Sequence, residues 1–512
     1  MDRIKYRIEK AADGNDTVII EKEGRSLPLH SRRQPLREGE KSKFQLNPER
    51  YDVLVIMGFG LGYYFVPAME KLKEYGKVIV IDILPGIEDH IEGGGYLAGF
   101  LEYGNVTFVT GEDEKSVEEF FKRNIDFSEI RGIEVSEHPA SMRMFQEYYG
   151  KIGESLSRVI DEKSRNAATS KKFGKLFFRN ALNNIMGGGG LRCVSKLFGR
   201  FKNRAALIVS SAPSIEEAIE YIPEISNYAY IIAVDSAVPL LKEYGVFPDF
   251  VVSIDPQGVM GEHLNGVDAE KSVFVYTVVS PPPIIKKTGG YLSLNSHPLS
   301  QVFEQVTKGR VGSIDSATGS VAGDALNFAM KAGFSEIGMA GFDFSFYRNK
   351  IYARGTAYQR RYNSIFNTRI RTIETYNSDY IYKNSRSLIQ GGRYTRRAFL
   401  EYKDSLAKVT AGHDKLWFIN STGPEYLPVN MAQTDVCGFI DAIKNRYEKD
   451  GTDVNYSKNE GKSDYLIEKK EWSELLTQDE VLTQVVEASF GSDNIGEMTA
   501  YARYLLSKKL SG

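Results

Sequence analysis

Residues 52–57 (Asp-Val-Leu-Val-Ile-Met) form an apolar run that ends in Gly58-Phe59-Gly60-Leu61-Gly62. The pattern beyond predicts a helix over 63–75 and a second apolar strand over 77–83 containing Asp82. A short unbroken apolar run bounded by glycine is what a strand buried on both faces of a parallel sheet requires. Strands at 105–110 and 132–135, with a helix at 116–123 between them, complete one doubly wound unit over about 50–145. Ahead of it the chain alternates polar and apolar positions, and 17–22 reads as a strand. Residues 141–201 lose strand character and predict a helical connector, interrupted by Gly187, Gly188, Gly189 and Gly190.

A second α/β pattern then starts. It predicts strands at 205–209, 230–234, 250–254, 272–279 and 336–340, with helices at 215–221, 238–243, 299–306 and 321–331, and a further strand at 416–420. Residues 447–464 read as a polar linker and 468–510 as helical. The fold class expected is therefore α/β, with two Rossmann-like domains of mostly parallel sheet and a helical C-terminal region. The divisions fall at 1–145, 146–203, 204–425 and 426–512.

Parallel sheets place ligands at the carboxyl ends of their strands. In the second unit those ends carry Ser210 to Ser214, Asp235-Ser236, Asp255-Pro256 and Gly341-Phe342-Asp343. Thr318-Gly319-Ser320 opens the helix at 321–331, where backbone amides attract an anion. In the first unit the glycine turn followed by Asp82 has the spacing of a nucleotide pocket, with the carboxylate placed for ribose hydroxyls. Each feature also has a purely structural reading: Ser214 as a helix cap before Glu216 and Glu217, the three aspartates as loop caps, the glycines as tight turns.

Composition narrows the classes. The 512 residues suit two or three domains, and the apolar content of 42% excludes a wholly disordered chain. The best apolar stretch, 272–285, is broken by Pro281, Pro282 and Pro283, so no membrane-spanning helix is expected. The charged N-terminus lacks the apolar centre of a secretory signal, which points to the cytoplasm. Cys193 and Cys437 have no metal-ligand spacing, nor does any histidine pair, so no zinc site is expected. A net charge of −2 argues against a general nucleic-acid binder. Between Tyr347 and Lys403, however, thirteen Arg and Lys residues stand against only Glu374, Asp379 and Glu401, a local excess suited to an anionic partner.

Several ordered motifs then coincide. Ser211-Ala212-Pro213-Ser214-Ile215, Ala233-Val234-Asp235-Ser236-Ala237 and the run from Gly245 to Pro256 resemble the 6-hydroxymethylpterin diphosphokinase-like domain of motility-associated factor (Maf) proteins. Gly319-Ser320-Val321-Ala322, Gly338 to Phe344, Tyr352 to Thr356 and Ile419 to Gly423 fit the same family, and Gly58 to Tyr63 is similar to its N-terminal glycine turn. The resemblance covers most of the chain. It implies a cytoplasmic glycosyltransferase that moves a nonulosonic acid of the pseudaminic or legionaminic type from a CMP-activated donor to Ser or Thr of flagellin. The second unit is also similar to bacterial sialyltransferases, with Ser210 to Ser214 standing where that group has a Gly-Asn-Gly-Pro-Ser turn.

On that resemblance Ser211, Ser214, Asp235, Ser236, Thr318, Gly319 and Ser320 are candidates to hold the donor, and Asp255, Asp343, Tyr352 and Arg354 to carry the chemistry. The aspartates are open to three roles: ribose or cytosine recognition, deprotonation of the acceptor hydroxyl, or coordination of a divalent metal. Tyr352 and Arg354 are expected to meet the phosphate or the sugar carboxylate. His297 is a candidate base. No cofactor is firmly implied; the donor itself is the small-molecule partner. Two further readings stand beside this one: pyrophosphoryl transfer to a pterin, and a non-catalytic flagellin-binding chaperone. The first-unit glycine turn with Asp82 also resembles S-adenosylmethionine-dependent methyltransferases.

Overall fold

In a computed structural model the described residues are 4–22, 24–40, 46–92, 103–125, 130–186, 191–264, 267, 270–295, 300, 304, 309–316, 318–369, 371–385, 389–390, 393–410, 413, 415–419, 432–447, 449, 486 and 495–510. The chain divides into two compact units, residues 1–172 with 491–493, and 173–490 with 494–512.

The first unit opens with an antiparallel sheet of β1 (Lys5–Lys10), β2 (Asp16–Lys22) and β3 (Arg25–Pro28). It continues with β4 (Val53–Met57), β5 (Lys77–Asp82), β6 (Val106–Thr110) and β7 (Ile133–Glu137), a parallel sheet in the order β6-β5-β4-β7. Successive side chains of a strand point to opposite faces, and here both faces are covered. Val53, Val55, Met57, Ile79 and Ile81 enter one core, and Leu54, Ile56, Val78 and Val80 the other.

The expected helix over 63–75 is shorter and tighter. Tyr63–Ala68 is a 3-10 helix containing Pro67, and only Met69–Leu72 is α-helical. Proline inside a helix removes a donor and clashes with the preceding turn.

The second unit is built on a nine-stranded parallel sheet. Its strands are β8 (Leu191–Cys193), β9 (Ala205–Val209), β10 (Ala229–Val234), β11 (Phe250–Ser253), β12 (Val273–Thr277), β13 (Gly290–Ser293), β14 (Glu336–Ala340), β17 (Leu416–Ile419) and β18 (Ala432–Thr434). A two-residue pair, β15 (Ile389–Gln390) with β16 (Arg393–Tyr394), is separate and antiparallel. The sheet order is β18-β17-β14-β9-β10-β11-β12-β13-β8. From β9 the chain steps outward through β10 to β13, then returns to place β14 on the other side of β9. That reversal opens a crevice at the carboxyl ends of β9 and β14, the position where doubly wound sheets bind ligands.

Within the stretch read as a connector, Leu191–Cys193 is an edge strand and Gln146–Met186 a single long helix. The residues read as a helix over 215–221 form two 3-10 turns, Pro213–Glu217 and Ile219–Tyr221. Most of the helix expected at 299–306, the glycines 187–190, Asn420 to Gly423, and most of 448–494 lie outside the described residues. No helix among the described residues is long and apolar enough to cross a membrane.

Candidate active site

Each unit has a switch-point crevice, and the two differ in what fills them. In the first unit the Asp82 carboxylate is fully buried at the end of β5 and accepts the N–H groups of Phe59 and Gly60 at 2.7 and 2.8 Å, and of Leu84 at 3.0 Å. His30 Nε2 accepts the Leu61 N–H at 2.9 Å, which leaves the proton on Nδ1 to be donated to Glu38 at 2.9 Å. Gly60 sits at φ +56°, and a methyl there would strike His30 Nε2; one on Gly58 would strike Ser141. Thus the amides and the space a nucleotide would need are taken by the chain itself. The pocket expected over Gly58 to Asp82 is closed by packing. His30, Glu38 and His138 come close enough to share an ion, but both His30 nitrogens are engaged in hydrogen bonds. Burial holds His138 down to about 3, so it is a neutral ring at neutral pH, hydrogen-bonded to Ser141 Oγ at 2.8 Å.

In the second unit the crevice is open. A cavity of about 400 Å³ lies between the carboxyl ends of β9, β10, β11 and β14. Its floor is Ser210, Ser211, Asp235, Ser236 and Asp255, with Gly319 and Ser320 at one side and Gly341 to Phe346 at another. Its wall is aromatic: Tyr352, Tyr358, Tyr380, Phe399 and Tyr402. Among the described residues Arg396 is the one cation that lines it.

The floor is pre-ordered by hydrogen bonds. Asp235 accepts Ser236 N–H at 2.7 Å through Oδ1 and Ser253 Oγ at 2.7 Å through Oδ2, while Ser236 Oγ donates to Ser211 Oγ at 3.0 Å. Asp343 accepts Ser214 N–H at 2.9 Å, tying the end of β14 to the turn after β9. Burial pushes the Asp343 carboxyl up to about 6. Asp255, whose Oδ1 accepts Gln257 N–H at 2.8 Å, is also raised, first by burial and then by the nearby Asp235 charge. A carboxylate moved toward neutrality is suited to take a proton. The loop bearing Asp255 is pinned from behind, where Asn180 Nδ2 donates to Pro256 O at 3.0 Å and Val279 O at 2.9 Å.

Of the residues singled out in the sequence, Ser211, Asp235, Ser236, Asp255, Gly319, Ser320, Asp343 and Tyr352 meet in this cavity. Ser214 and Thr318 stand one layer back. Ser214 supports Asp343, and Thr318 bonds Ser316 Oγ at 2.7 Å and Ser320 Oγ at 3.2 Å within the turn. Arg354 is placed elsewhere: its N–H is held by Glu216 at 2.8 Å and its exposed side chain lines a separate surface hollow with Glu243 and Glu374. The guanidinium that reaches the cavity is that of Arg396. It donates from Nη1 to Tyr380 OH at 3.0 Å and stacks 4.4 Å from the Phe399 ring, while its Nε has no hydrogen-bond partner among the described residues.

His263, given less claim than His297 from the sequence, has a place beside the floor. It is buried, 3.4 Å from Asp235 Oδ2 and edge-on to the Tyr358 ring at 4.7 Å. His297 lies outside the described residues. A missed group is Asp324, which accepts both Ser316 N–H (2.8 Å) and Oγ–H (2.7 Å) and so clamps the turn that presents Gly319 and Ser320.

Three comparisons bear on this architecture. Residues 179–349, which hold the cavity floor, match the family model of 6-hydroxymethylpterin diphosphokinase MptE-like proteins. An uncharacterized protein of Treponema pallidum (strain Nichols) is 35% identical over 107 residues, 21% of this chain, and the match spans about half of that relative's length. The solved Maf glycosyltransferase of Magnetospirillum magneticum AMB-1 superposes with a TM-score of 0.59 at 12% identity, covering all of this chain and 91% of that one. The chain thus has the α/β fold of that glycosyltransferase, with an MptE-like domain at its centre.

Proposed function

We propose that the protein is a glycosyltransferase that moves a nonulosonic acid from a CMP-activated donor to Ser or Thr hydroxyls of flagellin, in the cytoplasm and in support of motility. The observation that carries the reading is the open cavity at the β9/β14 switch point, where one arginine faces a floor of serines and carboxylates beneath a tyrosine wall. The fold shared with a Maf glycosyltransferase supports it.

A nucleotide sugar divides into parts this cavity can treat separately. Ser211, Ser236, Ser320 and Asp235 offer hydroxyls and a carboxylate to sugar and ribose oxygens, and Arg396 offers charge to phosphate or the sugar carboxylate. Asp255 is assigned as the base. It takes the proton of the acceptor hydroxyl as that oxygen bonds to the anomeric carbon and the bond from that carbon to the phosphate oxygen breaks. CMP leaves with the electron pair, stabilised by Arg396.

Pyrophosphoryl transfer to a pterin is the second reading, favoured only by the name of the matching family. That match covers residues 179–349 only and leaves Tyr380, Arg396, Phe399 and Tyr402 of the cavity lining outside it. The test is a calorimetric titration with CMP, AMP and S-adenosylmethionine on wild type and on Ala322→Trp, which fills the cavity. CMP binding lost in the variant is the expected result. Absence of CMP binding in wild type would sink the proposal.

A further inference from the structure

Resting on the transferase reading, we infer that the hairpin formed by helices Ala357–Ile365 and Ile373–Ser385 is the surface that grips the acceptor, and that it selects an acidic polypeptide segment. The argument starts from where the basic excess of residues 347–403 is neutralised and where it is not. At the root of the segment three cations have carboxylates from the sheet domain. Arg348 pairs with Glu217 at 2.8 Å, Lys350 with Glu216 at 2.5 Å, and Arg360 with Glu243. At the far end Arg361, Arg369 and Arg371 are all exposed and no carboxylate partners them among the described residues. Exposed guanidiniums without counter-charge are available to a bound anion.

The inner face of the hairpin holds its two helices together. Tyr358, Tyr362 and Phe366 recur every four residues, and Tyr362 and Phe366 face Tyr376, itself four residues from Tyr380, as helix geometry demands. Phe366 stacks on Tyr376 at 4.1 Å, Tyr362 meets Tyr376 at 5.0 Å, and Arg371 lies 4.8 Å over Phe366. The outer face presents Arg361 with Ile365 one turn on, and Ile365 is 56% exposed. A large exposed apolar side chain one turn from a guanidinium is suited to a polypeptide, whose backbone and methylenes it can cover.

The hairpin is also continuous with the cavity. Tyr358, on its first turn, lines the wall and stacks on Tyr352 at 4.6 Å, and Tyr352 lies 6.2 Å from Tyr362. A chain held by the three arginines would thus pass the cavity mouth. A nucleic acid is the other polyanion that cationic residues can attract, but it would call for a longer basic track than three guanidiniums on a protein of net charge −2.

The experiment is fluorescence anisotropy with a labelled Glu-Ser repeat peptide, set against a Lys-Ser repeat peptide and a single-stranded DNA. It uses wild type, the Arg361→Glu/Arg369→Glu/Arg371→Glu variant, and Arg369→Glu alone, which leaves the Phe366 contact intact. The acidic peptide is expected to bind wild type at low salt, about tenfold or more weaker in the triple variant, several-fold weaker in the single one, and weaker as salt rises. CMP titration of all three proteins should be unchanged. Equal binding of the acidic peptide to the triple variant, no binding to wild type, equal affinity for the basic peptide, or tighter binding of DNA would each overturn the inference. Peptide binding without CMP binding would instead leave the hairpin as an acidic-peptide surface and remove the transferase reading.

Discussion

The Asp82 carboxylate accepts the Gly60 N–H at 2.8 Å, so the residue that could bind a ribose instead closes the turn that could bind a phosphate. A strand, glycine turn, helix and second strand ending in an aspartate are all present in the first unit, yet the anion-binding amides are internally satisfied. The same topology in the second unit leaves its crevice open, because Asp235, Ser236 and Asp255 bond to their own loops and to Ser211 and Ser253 rather than across the gap.

Gly60→Ala tests that closure. At φ +56° the added methyl is strained and meets His30 Nε2, whose other nitrogen is fixed by Glu38. The expected loss is about 2–4 kcal/mol, read as a lower melting temperature of the first unit. Nucleotide titration of the second unit should not change. Preserved stability together with new binding of S-adenosylmethionine would show the turn to be a ligand site after all.

Arg396→Ala should weaken CMP binding by about ten- to a hundredfold, since it removes the one cation lining the cavity among the described residues. Arg354→Ala should leave CMP affinity unaltered, its side chain being outside the cavity. Arg396→Lys is expected to restore only part of the affinity, because the guanidinium that lies 4.4 Å from the Phe399 ring centre and donates to Tyr380 is replaced by a point charge. The reverse ranking, with Arg354 the sensitive position, would displace the phosphate site.

These two arginines show where the sequence stops being informative. The positions of most strands along the chain are legible because buried parallel strands are continuous apolar runs; Ala205–Val209 and Glu336–Ala340 have the expected bounds, whereas the short strands Gly290–Ser293 and Ala432–Thr434 do not stand out. Aspartates at the ends of such strands are legible as cavity residues for the same reason. Tyr352 and Arg354 look equivalent in sequence, but neighbouring loop residues diverge according to which backbone group Glu216 captures. Arg396 lies more than forty residues later, and only the helix Arg397–Val409 packing beside the helix Val321–Ala332 brings it to the wall. His263 and Asn180 carry no local pattern at all; their partners, Asp235 and Pro256 O, are chosen by tertiary packing. The edge strand Leu191–Cys193 was hidden by its three-residue length.

Asp255→Asn separates binding from rate. Its Gln257 N–H bond is kept by the Asn oxygen, so CMP affinity should hold, while transfer to a Ser or Thr acceptor falls by about 10²–10⁴. Since burial raises the Asp255 carboxyl, the acid limb of the rate profile of the wild type should lie above the ordinary aspartate value. A variant with undiminished turnover would transfer the role of base to another group.

Asp324 gives a prediction whose sign is fixed by burial. The folded protein holds this carboxyl up to about 7, against 3.8 as its ordinary value, because desolvation outweighs the two hydrogen bonds from Ser316. Between those pH values the native state keeps a proton that the unfolded chain has released. Stability from this group is therefore present in full below about pH 4 and is lost as pH rises toward 7, by an amount on the order of 3–4 kcal/mol. Asp324→Asn retains an oxygen for both Ser316 donors and cannot titrate. Relative to the variant, the wild type should lose melting temperature steadily from pH 4 to 7, and its CMP affinity should fall in parallel if the turn carrying Gly319 and Ser320 loosens. Parallel stability curves for the two proteins would mean that Asp324 is ionised throughout and that its clamp on Ser316 is a charged one.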